Sequence, residues 1–279
     1  MRLVTYEAGR GPRVGALEGE AVHDLGFDGD MVAFIAAGAP AGDRSPVAGA
    51  RLLAPLRPRS LRDFLAFEGH MKAALTRLGR EVPDEWYEVP AYYKGMPDTV
   101  IGPEQAIPWP EWTDRLDHEL ELAAVIGPRP VRDVAPGAAG EAIFGWTIWN
   151  DMSARDVQAR ELPIGMGPGK AKDWDGSNVL GPCIVTADEL DASDLRMAVR
   201  VNGETWGEAS SAAMHHDFGA LIAYASRSQT LYPGEVIGSG TAPGGSGIEL
   251  DRWLAPGDVI EMEIEGVGVL RNTIATKGA

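Results

Sequence analysis

The sequence predicts an α+β fold that is mainly β, with a small N-terminal β unit over residues 1–55 and a larger mixed domain over residues 56–279. Three observations predict it. Gly and Pro number 35 and 20 of 279 residues, which implies many turns but stays below the level of disordered chains. Most apolar runs are short and β-rich or alternate with polar residues, as half-buried strands do. Few of them have the strand–helix alternation of a doubly wound sheet.

The elements follow in chain order. Residues 1–27 read as short strands, MRLVTYEA, RVGALEG and AVHDLG, with a glycine-rich turn at GRGP. A short helix is expected near Asp30–Ala37, and APAGDRSPVAGA reads as a linker. From Ser60, SLRDFLAFEGHMKAALTRLG carries apolar residues at helical spacing. Beyond residue 98, TVIGP, ELELAAVIG, IFGWTIWN, GPCIVT, LRMAVRVNGE, EVIGSGT and DVIEMEIEGVGVLRN read as strands. DMSARDVQARE and DFGALIAYAS read as helices.

Charge and composition exclude several functions. A formal net charge of −16 argues against nucleic-acid partners and anionic membranes. It leaves small anionic substrates open, because a bound cation reverses the field locally. No run approaches the roughly 18 apolar residues of a membrane span, and the N-terminus has no apolar signal core. The single cysteine, Cys183, excludes an intrachain disulfide and a thiolate cluster, and it fits a cytoplasmic location.

Five segments could carry chemistry. On a strand, Glu119 and Glu121 share a face, and their repulsion calls for a neutralising group such as a hard divalent cation. Asp151 ends an apolar run, with Ser153 placed to cap a helix and Arg155 and Gln158 four and seven residues on. Asp63 and His70 are two helical turns apart, and a histidine is a good general base. Lys170 and Lys172 follow a Gly-rich loop and could hold a carboxylate or enolate. Thr241 and Glu249 lie in GSGTAPGGSGIELDR, which lacks the lysine of a nucleotide-binding phosphate loop. Each has a plainer alternative: a charged strand edge, a capped surface helix, an exposed histidine, a solvated loop.

In this order, DFLAFEGH, YYKG, LDHELELAAVIG, WNDMSARDVQ, GKAKDWD, VNGE, LYPGEVIGSGT and PGDVIEMEIEGVGVLRN resemble the fumarylacetoacetate hydrolase family over about residues 56–279. The resemblance implies a mixed β-roll, a homodimer, a bound Mg²⁺ (or Mn²⁺ or Ca²⁺) and a small oxo-acid substrate such as an acylpyruvate. It implies that Glu119, Glu121 and Asp151 ligate the metal, with Asp63 as a further ligand. His70 and Glu249 match a catalytic pair, with Lys172, preferred to Lys170, beside them. Tyr93, Arg155, Gln158 and Thr241 match substrate-side positions. Leu65 and Leu162 depart from the pattern, standing where the family hydrolase has tyrosines. The expected reaction is hydrolysis of a C–C bond. The alternative is a metal-dependent 2-oxo-acid lyase, and a binding protein without catalysis is a third reading.

Overall fold

The computed structural model describes residues 1–9, 11–42, 44–77 and 79–278. Its framework is an eleven-stranded mixed sheet. Edge to edge the strands are Ser45–Val47, Ala21–Asp24, Gly11–Glu18, Arg2–Ala8, Asn178–Thr186, Ile143–Asp151, Leu120–Ile126, Val236–Gly238, Leu61–Phe64 and Tyr92–Gly95. Val100–Ile101 pairs in parallel beside Asn178–Thr186. A five-stranded sheet packs against this framework, built from Glu204–Ser210, Arg196–Val201, Val259–Ile264, Gly268–Lys277 and Ile107–Trp109. The chain is therefore mainly β, with short helices between the strands.

The central strands are buried on both faces, so they read as continuous apolar runs. In Leu120–Ile126, the side chains of Leu120, Leu122, Ala124 and Ile126 enter one core. Those of Ala123 and Val125 enter the other, with Trp149, Leu180 and Ile184. Glu121 falls in phase with Ala123 and Val125, so a carboxylate is carried into a sheet interior.

The first 55 residues share that second core. Leu3 sits opposite Ile184 in the antiparallel pairing of the first strand with Asn178–Thr186. The helix Met31–Ala36 begins at Asp30, whose carboxylate accepts from the Ala33 amide at 2.8 Å. Met31, Phe34 and Ile35, at one-turn spacing, bury beside Leu3, Leu61 and Val236.

Three local expectations are corrected. The stretch read as a linker, APAGDRSPVAGA, holds the strand Ser45–Val47, which pairs antiparallel with Ala21–Asp24. The stretch from Ser60 is not one helix: Leu61–Phe64 is a strand, and the helix is Glu68–Arg77. The strand is buried along its length, pairing in parallel with Val236–Gly238 and antiparallel with Tyr92–Gly95. A strand buried on both faces has no period to separate it from a helix. Asp63 and His70 therefore come from different elements. Ser153 is not a helix cap either. It lies in the two-residue strand Ser153–Ala154, its hydroxyl donates to the Asp151 carbonyl at 3.2 Å, and the helix is Arg155–Glu161. Among the described residues no helix is long and apolar enough to cross a membrane.

Because Phe34 is buried in a core shared with the large sheet, Phe34→Ala should cost about 3–5 kcal/mol. Denaturant unfolding should show one transition moved to lower midpoint. A separate early transition, with the main one unmoved, would contradict the shared core.

Candidate active site

Four neighbouring strands set the site. Asp63 pairs with Gly238, and Gly238 pairs with Ala123, two residues after Glu121. Gly238 thus lies between the strands of Asp63 and Glu121. A Cβ there would stand 2.7 Å from Glu121 Oε2 and 2.7 Å from the Trp149 ring. Only a residue without a side chain leaves Glu121 its place. Asp151 arrives from the end of Ile143–Asp151, on the other side of Leu120–Ile126.

The carboxylates of Asp63, Glu121 and Asp151 converge, with one oxygen of each within 4.8 Å of the others. All three side chains are buried. Asp63 Oδ1, Asp151 Oδ1 and both oxygens of Glu121 have no hydrogen-bond donor. Buried acceptors are rarely left so. Burial pushes Asp63 and Glu121 well above the usual carboxylate range, and the neighbouring carboxylates add to it. Burial also raises Asp151, against the opposing pull of Lys172. Clustered oxygens without donors are what a hard divalent cation takes as ligands, so the residues fit such an ion.

Glu119, expected beside Glu121, is turned to cations instead. Arg155 Nη2 donates to its Oε1 at 2.6 Å, and Lys172 Nζ to its Oε2 at 2.5 Å. Burial works against its ionisation, but the Arg155 and Lys172 charges outweigh this and hold it well below the usual range. Lys172 Nζ also donates to Asp151 Oδ2 at 2.5 Å, joining Glu119 to the three carboxylates. Burial disfavours the charged lysine, yet Asp151 and Glu119 raise its pKa. Lys170 points elsewhere: it donates to the Asp173 carbonyl and lies over the Trp112 ring.

His70 comes from the Glu68–Arg77 helix. Its Nδ1 is 2.5 Å from Glu249 Oε1, and its Nε2 is 3.8 Å from Glu119 Oε1. Glu249 is fixed in turn. The Gly244 amide donates to its Oε2 at 2.6 Å, and the Ser246 hydroxyl to its Oε1 at 3.0 Å. Arg155 Nη1 donates to Gln158 Oε1 at 2.9 Å. The Tyr93 hydroxyl donates to Asp151 Oδ2 at 2.6 Å. Thr241 is buried in the loop after Gly238. That loop packs tightly, since a Cβ on Gly240 would meet the Phe64 carbonyl at 2.2 Å. Glu161, at the end of the Arg155 helix, accepts from the Gly169 and Ala171 amides at 3.0 and 3.2 Å. It ties down the loop that delivers Lys172.

The sequence reading missed Asp117. Its carboxylate, fully buried, accepts from Arg155 Nε at 2.8 Å and from the amides of Gly247 and Ile248 at 2.7 and 3.1 Å. It thereby holds both Arg155 and the short helix of Glu249. Its signal was available: Asp117, Glu119 and Glu121 are spaced two apart, a stripe of three acids. A surface groove of about 560 Å³ lies along the five-stranded sheet, lined by Arg196 and Arg200 together with Arg2 of the large sheet. It does not include the carboxylates, and Arg196 and Arg200 are paired with Glu265 and Glu263.

The C-terminal domain of fumarylacetoacetate hydrolase matches residues 60–275 as a family, and a domain described as Rv2993c-like, N-terminal, matches residues 1–55. The chain belongs to the fumarylacetoacetate hydrolase family. A solved fumarylacetoacetate hydrolase from Exiguobacterium antarcticum is similar over 99% of this chain and 100% of its own, with 29% identity and a TM-score of 0.84. A 5-carboxymethyl-2-hydroxymuconate delta-isomerase from Mycobacterium smegmatis has the same coverage, 32% identity and a TM-score of 0.81. An oxaloacetate tautomerase from Bacillus subtilis is 31% identical over 80% of this chain and 73% of its own. Members of one fold thus carry out different reactions, and the site's chemistry has to decide.

Two outcomes follow from this geometry. Gly238→Ala should displace Glu121 and weaken Mn²⁺ binding by at least about tenfold, read by calorimetry. Undiminished binding would exclude Glu121 from the cation site. The raised carboxylates also set a pH dependence. The unfolded chain releases these protons at about pH 4, whereas the cation-free native state retains them to higher pH. The native state then binds more protons, so stability falls as pH rises. Tm in EDTA should drop from about pH 5 to about pH 8, and saturating Mg²⁺ should flatten the slope.

Proposed function

We propose that the chain is a divalent-metal-dependent enzyme that hydrolyses a C–C bond next to a carbonyl in a small oxo-acid. The observation that carries this is His70, clamped through Nδ1 by Glu249 with its Nε2 facing the acidic pocket. Asp63, Glu121 and Asp151 would hold Mg²⁺, Mn²⁺ or Ca²⁺, with Glu119 adjoining through Lys172. When bound, the cation supplies Lewis-acid polarisation of the substrate's oxo and enolate oxygens.

The chain's own groups supply the proton chemistry. A carboxylate can only accept, so Glu249 selects the tautomer protonated at Nδ1 and leaves the Nε2 lone pair free. Nε2 takes a proton from water as the water oxygen bonds to the carbonyl carbon. Glu249 stabilises the imidazolium that forms. The C–C bond then breaks, and its electron pair leaves as an enolate. Lys172 and Arg155 place positive charge beside the pocket in which that anion develops. The imidazolium returns its proton to the enolate carbon.

A second reading is a proton transfer without water, as in tautomerisation or isomerisation. The depth of His70, only 7% exposed, favours it, and the same Nε2 would move a proton between carbon and oxygen. A lyase outcome would likewise use the pocket without hydrolytic water. The test is a product screen with Mg²⁺ or Mn²⁺ and an EDTA control over acylpyruvates, fumarylacetoacetate and oxaloacetate. Two acids mean hydrolysis, CO₂ means a lyase, and keto–enol exchange without a change of mass means a tautomerase.

His70→Ala should lower kcat by roughly 10²–10⁴-fold, with the smaller change in KM. Full activity in that variant would remove His70 from the mechanism. A cytoplasmic homodimer is proposed with this function, resting on the family resemblance. Sedimentation as a monomer would exclude the dimer.

A further inference from the structure

His70 stands between two carboxylates. Its Nδ1 is 2.5 Å from Glu249 Oε1, and its Nε2 is 3.8 Å from Glu119 Oε1. A neutral imidazole carries one N–H, and a carboxylate can only accept it. The unequal spacing therefore decides where the proton sits. It puts the N–H on Nδ1, toward Glu249, and leaves the lone pair on Nε2. Were Glu119 to close on Nε2, the opposite tautomer would gain, and the ring would have no basic nitrogen facing the pocket.

Both spacings trace back to one residue. Glu119 is drawn to Arg155 Nη2 at 2.6 Å, with Lys172 on its other oxygen. The guanidinium is itself fixed, its Nη1 on Gln158 and its Nε on Asp117 Oδ2 at 2.8 Å. Glu249 is carried by the short helix Gly247–Leu250. The first two amides of that helix, Gly247 and Ile248, donate to Asp117 Oδ1 and Oδ2 at 2.7 and 3.1 Å. The contacts close a ring that runs from Asp117 through Arg155, Glu119, His70 and Glu249 back to Asp117.

Asp117 is built to hold still. It is fully buried, and each of its oxygens takes two donors. Oδ1 accepts from the His118 and Gly247 amides, and Oδ2 from Arg155 Nε and the Ile248 amide. Only a carboxylate accepts at both ends. An asparagine there, turned either way, would set an NH₂ group against two N–H donors. The helix has no slack either. A Cβ on Gly247 would stand 2.7 Å from Asp117 Oδ1 and 2.2 Å from the Arg252 carbonyl.

Resting on the reading of His70 as the base, we propose that Asp117 is a positioning residue that fixes the tautomer of His70, holding Glu249 against Nδ1 and Glu119 away from Nε2. Asp117 acts on the reaction only through the imidazole. Its loss should therefore cost activity only where the imidazole is present, which separates it from a residue that merely supports the fold. Misplacement by a fraction of an ångström at either end of the ring is enough to matter.

The test joins a spectrum to a mutant cycle, both on the full chain with Mg²⁺. The imidazole ¹⁵N shifts of His70, assigned by their loss in His70→Ala and read with the ring neutral, should place the proton on Nδ1. In Asp117→Asn the form protonated at Nε2 should appear. For whichever reaction the product screen identifies, Asp117→Asn should lower kcat at least about tenfold. Added to His70→Ala, it should lower the residual rate less than about threefold. Nε2 protonated in the unaltered chain, an unchanged tautomer or kcat in Asp117→Asn, or equal losses in the two backgrounds would each overturn the proposal. If no compound turns over, the oxo-acid reading fails, and the ¹⁵N shifts alone decide the role of Asp117. Should Asp117→Asn not fold, Gly247→Ala, which drives the helix off Asp117, takes its place with the same outcomes.

Discussion

Five carboxylates buried together are the constraint on which this molecule is built. Asp63, Asp117, Glu119, Glu121 and Asp151 are each at most 4% exposed, and the buried Arg155 and Lys172 pair with Asp117, Glu119 and Asp151. An unpaired charge in such surroundings is strongly unfavourable. The structure divides the problem. Asp117 and Glu119 are neutralised by guanidinium, ammonium and backbone amides. Asp63, Glu121 and Asp151 keep oxygens that nothing in the chain satisfies. Burial raises the affinity of all three for protons, and a bound cation would take the protons' place.

The sheet makes that crowding possible. Two acids can converge across three strands only if the strand between them presents no side chain, and Gly238 meets that condition. The loop after it must return close over the Phe64 carbonyl, which requires Gly240 at a φ of +81°. The same loop ends in the short helix that brings Glu249 to His70. One chain segment, 236–250, thus separates the acids and supplies the histidine's partner.

Much of this was legible from residue order, and what escaped did so for physical reasons. The β character, the N-terminal strands and the helices after Asp30 and Asp217 follow from alternation and capping residues. The helix assigned from Ser60 failed because Leu61–Phe64 is buried on both faces, which erases the period that marks a strand. The spacing of Glu119 and Glu121 announced a pair of inward acids, but not their separate fates. That split depends on where Lys172 arrives from 53 residues away along the chain, a fact of tertiary structure. Asp117 extends the acidic stripe of Glu119 and Glu121, but its tie to the Gly247 and Ile248 amides, 130 residues on, has no side-chain signature.

Glu161 gives the positive side of the site a common anchorage. It sits at the end of the helix that begins with Arg155, and its carboxylate grips the loop that leads into Lys172. The two cations are therefore tied to one short lever. The guanidinium and the ammonium thus share one support, seven residues of helix closed by a single carboxylate.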